Sequence, residues 1–144
     1  MTNIPDSHPR KSSLLSRQKI VDGAKRGLLA DSAMIAHGRG EAYDYLLGER
    51  TTSSASIAIR EAAARLLRAV SPVISMNGNS TVLAGAEAIK IAAIVGCPIE
   101  VNIYYRTEER MTRLVNELES MREELLASSP EAERDAISRV EILG

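Results

Sequence analysis

Several stretches of this chain combine residue types and spacing that could do chemistry. The first is Asn77-Gly78-Asn79-Ser80-Thr81, between a short apolar run and a helical stretch. Its glycine frees the backbone, and the amides that follow point at whatever lies above, so a phosphate or carboxylate could sit there. The next residues, Val82-Leu83-Ala84, carry no acid to compete for that positive end. The plainer reading is a strand-to-helix turn in which Asn77 and Asn79 tolerate left-handed geometry. The second stretch is Arg106-Thr107-Glu108-Glu109, where carboxylates already satisfy the positive end of a helix. Its amides make a poor anion site, and Arg106 either reaches a ligand or is solvated. The third is Ala36-His37-Gly38-Arg39-Gly40-Glu41, where glycines on both sides clear space around a guanidinium, as a phosphate clamp needs. His37 is a candidate general acid or base, or else a structural histidine. Arg17 is the last: a charge on an otherwise apolar helical stripe is paired, projects into a site, or snorkels to solvent.

The elements that position these residues follow from periodicity and punctuation. Residues 1 to 11 read as an irregular arm, because Pro5 and Pro9 block a helix. Ser12 or Ser13 is expected to cap a first helix with the stripe Leu14, Val21, Ala24 and Leu28, on which Arg17 falls. Asp31 or Ser32 begins a short second helix through Ala36, broken at Gly38 and Gly40. A third short helix is expected from Glu41 to Leu47. After Thr51-Thr52-Ser53-Ser54, residues Ile59, Ala62, Ala63, Leu66, Leu67 and Val70 mark an amphipathic helix.

The character changes at Pro72. Val73-Ile74-Ser75-Met76 reads as a buried strand, and a helix is expected from about Thr81 to Val95, ended by Gly96 and Pro98. Ile99, Val101, Ile103 and Tyr105 alternate with polar residues and Tyr104, which predicts a strand. On it Asn102 needs a partner, whether ligand or neighbouring backbone. Thr107 caps a long helix with the seam Met111, Leu114, Leu118, Met121 and Leu125, and Pro130 opens a further helical turn. Val140-Glu141-Ile142-Leu143-Gly144 looks like a strand that has only begun. Strand–helix–strand–helix–strand predicts an α/β fold, a parallel sheet with crossover helices preceded by a helical N-terminal region. The division expected is 1–71 for the helical region and 72–144 for the sheet domain, truncated as it stands. A sheet of three strands is thin and open at its edges, which suggests an oligomer or a missing remainder.

Composition removes several function classes. A formal net charge of −1 gives no electrostatic case for binding nucleic acid or a membrane surface. With no Phe, no Trp and 4 Tyr, the chain has little with which to stack bases. Cys97 is the single cysteine, so no intrachain disulfide forms, and with only His8 and His37 besides it no zinc or other metal site is expected. The polar N-terminus lacks the apolar core of a signal peptide, and no run is long enough to span a membrane. A cytoplasmic protein is the expectation. Neither a Gly-rich dinucleotide fingerprint after a strand nor a P-loop is present.

Blocks of this sequence resemble, in family order, the archaeal-type phosphopantothenate synthetases (4-phosphopantoate–β-alanine ligases). They are Asn3-Ile4-Pro5, Ser7-His8-Pro9-Arg10, Ser13-Leu14 and Arg17; Ile35 through Thr51, with His37-Gly38-Arg39-Gly40-Glu41 at its centre; Val73 through Asn79; and Glu100 through Arg110. The resemblance implies a Rossmann-like homodimer that joins 4-phosphopantoate to β-alanine at the cost of ATP, with Mg²⁺, releasing AMP and pyrophosphate. The implied route is an acyl-adenylate whose carbonyl the β-alanine amine then attacks. In the family, the arginines matching Arg17 and Arg39 contact ATP. His37, Asn77, Asn79 and Arg106 become candidates for substrate or phosphate contact. Family members continue well past the position of Gly144, and the stretch from Arg122 to Arg139 is longer than the family pattern. A fragment, a truncated reading frame or a split protein is therefore expected. The alternatives are a non-catalytic half that needs a partner chain at its open sheet edge, and another nucleotide-using α/β enzyme such as an oxidoreductase. The missing dinucleotide fingerprint counts against the latter.

Overall fold

A computed structural model describes residues 4–144. Asn3 and the first residues of the expected N-terminal arm lie outside the described residues. The elements are α1 (Lys11–Lys25), α2 (Ala33–Leu46), α3 (Ser53–Arg68), β1 (Ile74–Met76), α4 (Gly78–Val95), β2 (Ile99–Val101), α5 (Glu108–Ser128), α6 (Glu131–Ser138) and β3 (Ile142–Leu143). The strands run parallel in the order β1-β2-β3. In register, Ile74 lies beside Ile99, Met76 beside Val101 and Ile99 beside Ile142. This is the expected α/β architecture: α4 crosses from β1 to β2, and α5 with α6 crosses from β2 to β3. The helical region precedes it.

The core lies where α4 and α5 pack on the sheet and on each other. Ile89, Ile99, Val101, Leu114 and Leu118 are all fully enclosed. The α5 seam follows its spacing, with Met111, Leu114, Leu118 and Leu125 buried and Met121 partly so. Thr107 caps that helix by accepting from the Arg110 amide at 3.2 Å, and Pro130 stands at the N-cap of α6.

Local expectations fail in several places. The strand expected to be buried over Val73–Met76 has only Met76 enclosed, because β1 lies at the edge of the sheet. No side chain of Ser12 or Ser13 caps α1, which begins at Lys11 behind Arg10. The buried face of α1 is Ile20 and Gly23 rather than the expected stripe. A Cβ on Gly23 would lie 2.8 Å from Val82 Cγ2, so the missing side chain is what lets α1 lie against α4. The helix ends before Leu28, which enters the core from the following turn. Ala24 and Arg17 are therefore on the exposed side. The second and third short helices are one, α2, which runs through Gly38 and Gly40 without a break. Glycine inside a helix costs up to about 1 kcal/mol relative to alanine, which lowers stability without ending the helix. The α4 helix starts at Gly78 rather than Thr81, and it carries a kink at Ala84, where φ is −143°. Finally, the strand expected through Tyr105 keeps its ladder only over Ile99–Val101. Its partner β1 stops at Met76, whose carbonyl takes a last bond from the Asn102 amide at 2.8 Å. Beyond that bond Tyr104 and Tyr105 turn out to solvent.

The helix α3 forms as its pattern requires, with the Thr52 hydroxyl accepting from the Ala55 amide at 3.3 Å. None of its residues is buried, and among the described residues no helix or strand packs extensively along it.

Candidate functional site

The parallel arrangement puts the carboxyl ends of β1 and β2 side by side, the position where open α/β sheets bind ligands. A cleft of about 440 Å³ lies there, lined among others by Asn77, Gly78, Asn79, Asn102, Tyr105 and Arg110. One wall is the start of α4. Asn77 and Ser80 close a reciprocal cap: Asn77 Oδ1 accepts from the Ser80 amide at 3.0 Å, and Ser80 Oγ accepts from the Asn77 amide at 2.8 Å. This cap fixes the end of the helix while the amides of Gly78 and Asn79 keep no intrahelical acceptor. A Cβ on Gly78 would meet the Leu28 carbonyl oxygen at 2.8 Å, so the turn after α1 seats directly on this helix end. Asn79 Nδ2 donates to the Ala33 carbonyl at 3.1 Å and ties α2 to α4. Asn77→Ala is expected to cost about 1 kcal/mol of stability through the lost cap, read by urea denaturation.

The opposite wall carries Arg110, in the first turn of α5. Its Nη1 donates to the Tyr105 carbonyl at 2.7 Å, which holds the guanidinium in one orientation. Its Nε is buried and has no hydrogen-bond partner. Buried donors of this kind are nearly always paired in native proteins. Arg106, the candidate from spacing, lies outside the cleft in a separate recess with Glu108, Thr112 and Asn116. Sequence reasoning passed over Arg110. The signal that could have found it is its place three residues after the Thr107 cap, where an α5 side chain lies beside the end of β2.

A second recess, of about 370 Å³, lies between α1, α2 and α4. Ser12, Ser16, His37, Glu41, Asp44 and Asn79 are among its lining residues. Ala36 and Asn79 line this recess and the strand-end cleft alike. His37 Nε2 is buried and without a partner. Glu41 accepts from Arg10 at 3.0 Å and pairs with Arg17 at 3.6 Å. Arg10 also reaches Glu49 at 3.0 Å, and Ser13 donates to the same carboxylate at 2.8 Å. The Ser13 hydroxyl and then Arg10 hold the Glu49 carboxyl below the usual carboxylate range. Arg17 is thus ion-paired and half exposed. Arg39 lies exposed on α2, and the space where side chains of Gly38 and Gly40 would stand is open.

Cys97 sits at the other end of the sheet, where burial pushes its thiol up. Among the described residues no group of three or more His, Cys, Asp or Glu side chains could hold a metal ion. No helix among them is long and apolar enough to cross a membrane.

Comparison with known proteins gives the family. Residues 54–141 match the family described as phosphopantothenate/pantothenate synthetase, which is more than half of the chain. The chain is 50% identical over 118 residues to a 4-phosphopantoate–beta-alanine ligase of Thermococcus kodakarensis, covering 82% of this chain and 45% of that protein. It is 47% identical over 133 residues to the protein of the same name from Methanosarcina mazei, covering 92% and 53%. It is 49% identical over 108 residues to that from Methanospirillum hungatei, covering 75% and 44%. The chain spans about half the length of the curated relatives it matches.

Proposed function

Since the chain belongs to the phosphopantothenate/pantothenate synthetase family, we propose that it is the acyl-substrate-binding part of a ligase that condenses 4-phosphopantoate with β-alanine and turns ATP into AMP and pyrophosphate. The observation that carries this reading is the strand-end cleft, which Arg110 and the acid-free start of α4 line together. An anionic acid suits it. The guanidinium offers charge-assisted hydrogen bonds, and the helix end adds amides and a favourable dipole. Arg17 and Arg39 are assigned to the ATP phosphates. Arg39 has the room its flanking glycines leave, whereas Arg17 must exchange its Glu41 pair for a phosphate. Mg²⁺ would enter on the nucleotide and keep most of its waters. The protein's own share of the chemistry is to hold the acid and the nucleotide in line and to exclude water.

The test is AMP release by the purified protein given ATP, Mg²⁺, 4-phosphopantoate and β-alanine, with Arg39→Ala beside it. AMP that requires both acid and amine, and that falls at least about tenfold in the variant, supports the reading. AMP released without either substrate, or none from folded protein, counts against it.

A homodimer goes with this reading, and α3 is the surface assigned to it. A helix of 16 residues with none of them buried among the described residues is marginal in water. Its exposed Ile59 and Leu67 lie on one face and need cover. Ile59→Asp together with Leu67→Glu is expected to shift the protein from dimer to monomer in sedimentation velocity. A dimer that survives both changes places the contact elsewhere.

A further inference from the structure

We infer that the recess between α1, α2 and α4 takes the amine substrate, a small zwitterionic amino acid, and that His37 accepts the proton its ammonium group must lose. The inference rests on the ligase reading for the identity of the amine. Its evidence is separate.

The two cavities share the wall formed by Ala36 and Asn79, and their chemistry is opposite. The strand-end cleft presents Arg110 and a helix N-terminus. The recess has no Lys or Arg among its lining residues, while Glu41, Asp44 and serine hydroxyls line it. Glu41 is partly neutralised by Arg10 and Arg17. Asp44 has no ion pair among the described residues. A cation is favoured in the recess and an anion in the cleft, so the two reacting partners would meet across Asn79. Asn79 is held in place by its bond to the Ala33 carbonyl. Ser12 and Ser16 offer donors for the carboxylate of the same amino acid.

His37 has the features of a proton acceptor in this arrangement. Its Nε2 is buried with no partner. The chain's other histidine, His8, already accepts the Arg10 amide at 3.1 Å. An amino acid arrives as an ammonium and cannot attack until it loses a proton. In the proposed step that proton passes to the His37 imidazole and the freed nitrogen attacks the carbonyl carbon of the acyl-adenylate. The C–N bond forms, the C–O bond to the phosphate breaks, AMP leaves with that electron pair, and the second proton shed by the nitrogen goes to the departing phosphate. A base so placed contributes on the order of 10²–10⁴ in rate.

His37→Gln keeps a hydrogen-bonding side chain and removes the base. It is expected to lower β-alanine-dependent AMP release about 100-fold while leaving 4-phosphopantoate-dependent exchange of pyrophosphate into ATP, which uses no amine, within about threefold. Condensation that is unchanged, or exchange that falls in parallel, overturns the proposal. A second measurement uses the unsubstituted protein. Its two histidines allow the imidazole NMR signals of His37 to be followed during titration. β-Alanine is expected to move them and propionate, which lacks the amine, is not. Equal responses, or none, overturn the proposal. Wild-type protein that shows neither exchange nor AMP release, yet moves its His37 signals with β-alanine alone, sinks the ligase reading and leaves the amine site standing.

Discussion

Arg110→Ala is expected to lower kcat/KM for 4-phosphopantoate about 100-fold, with KM for ATP changed by no more than about twofold. The guanidinium is held by the Tyr105 carbonyl at 2.7 Å and leaves a buried Nε with nothing to bond. An acceptor brought by the substrate gains a charge-assisted bond from the guanidinium that lines the cleft. Arg110→Lys should recover little. An ammonium cannot hold the Tyr105 carbonyl and a substrate oxygen in the same fork geometry. Stability should fall by only about 1 kcal/mol, because a single hydrogen bond within the protein is lost. Full activity in the alanine variant would remove Arg110 from the site.

Leu118→Ala is expected to cost roughly 2–5 kcal/mol. Leu118 is fully enclosed at the centre of the α5 seam, and a Cβ placed on Gly85 of α4 would lie 3.3 Å from its Cδ2. The two helices meet too closely there for the vacated space to be refilled without backbone movement. Domains of this size are stable by about 5–15 kcal/mol, so the loss is a large share of the total. A fall of the thermal midpoint on the order of 10 °C should be visible by circular dichroism. A shift of a degree or less would mean that α4 and α5 do not form the core.

The order of elements from Pro72 onward was legible because each carries its own signal. The apolar run at Ile74, the Thr107 cap, and the 3-4-3-4 seam from Met111 to Leu125 depend on neighbours in sequence, and each element forms, although of the expected buried strand only Met76 is enclosed. What was not legible depends on partners distant in sequence. The length of β2 is set by where β1 ends, which the alternation of Ile103 and Tyr105 cannot report. The face of α1 is set by the small residue Gly23 meeting Val82, and a hydrophobic count passes over glycine. Gly38 and Gly40 looked like breaks, but nothing crowds them and the helix runs on. At the candidate site, Asn77 and Asn79 were readable as polar residues beside a glycine at a helix end, and the Ala36–Glu41 segment as an arginine given room by flanking glycines. Their division into two adjoining cavities was not. Arg106 and Arg110 are equally basic in sequence, and only the turn of the chain after Asn102 separates the one in the cleft from the one outside it.

The central claim is that the cleft at the ends of β1 and β2 binds an acid bearing a phosphate. It is tested most directly by calorimetric titration of the protein with 4-phosphopantoate, beside pantoate, which lacks the phosphate. The account predicts saturable binding of one 4-phosphopantoate per chain, weakened at least about tenfold for pantoate and for the Arg110→Ala protein. Binding that ignores both the phosphate and Arg110, or no binding by folded protein, would contradict it.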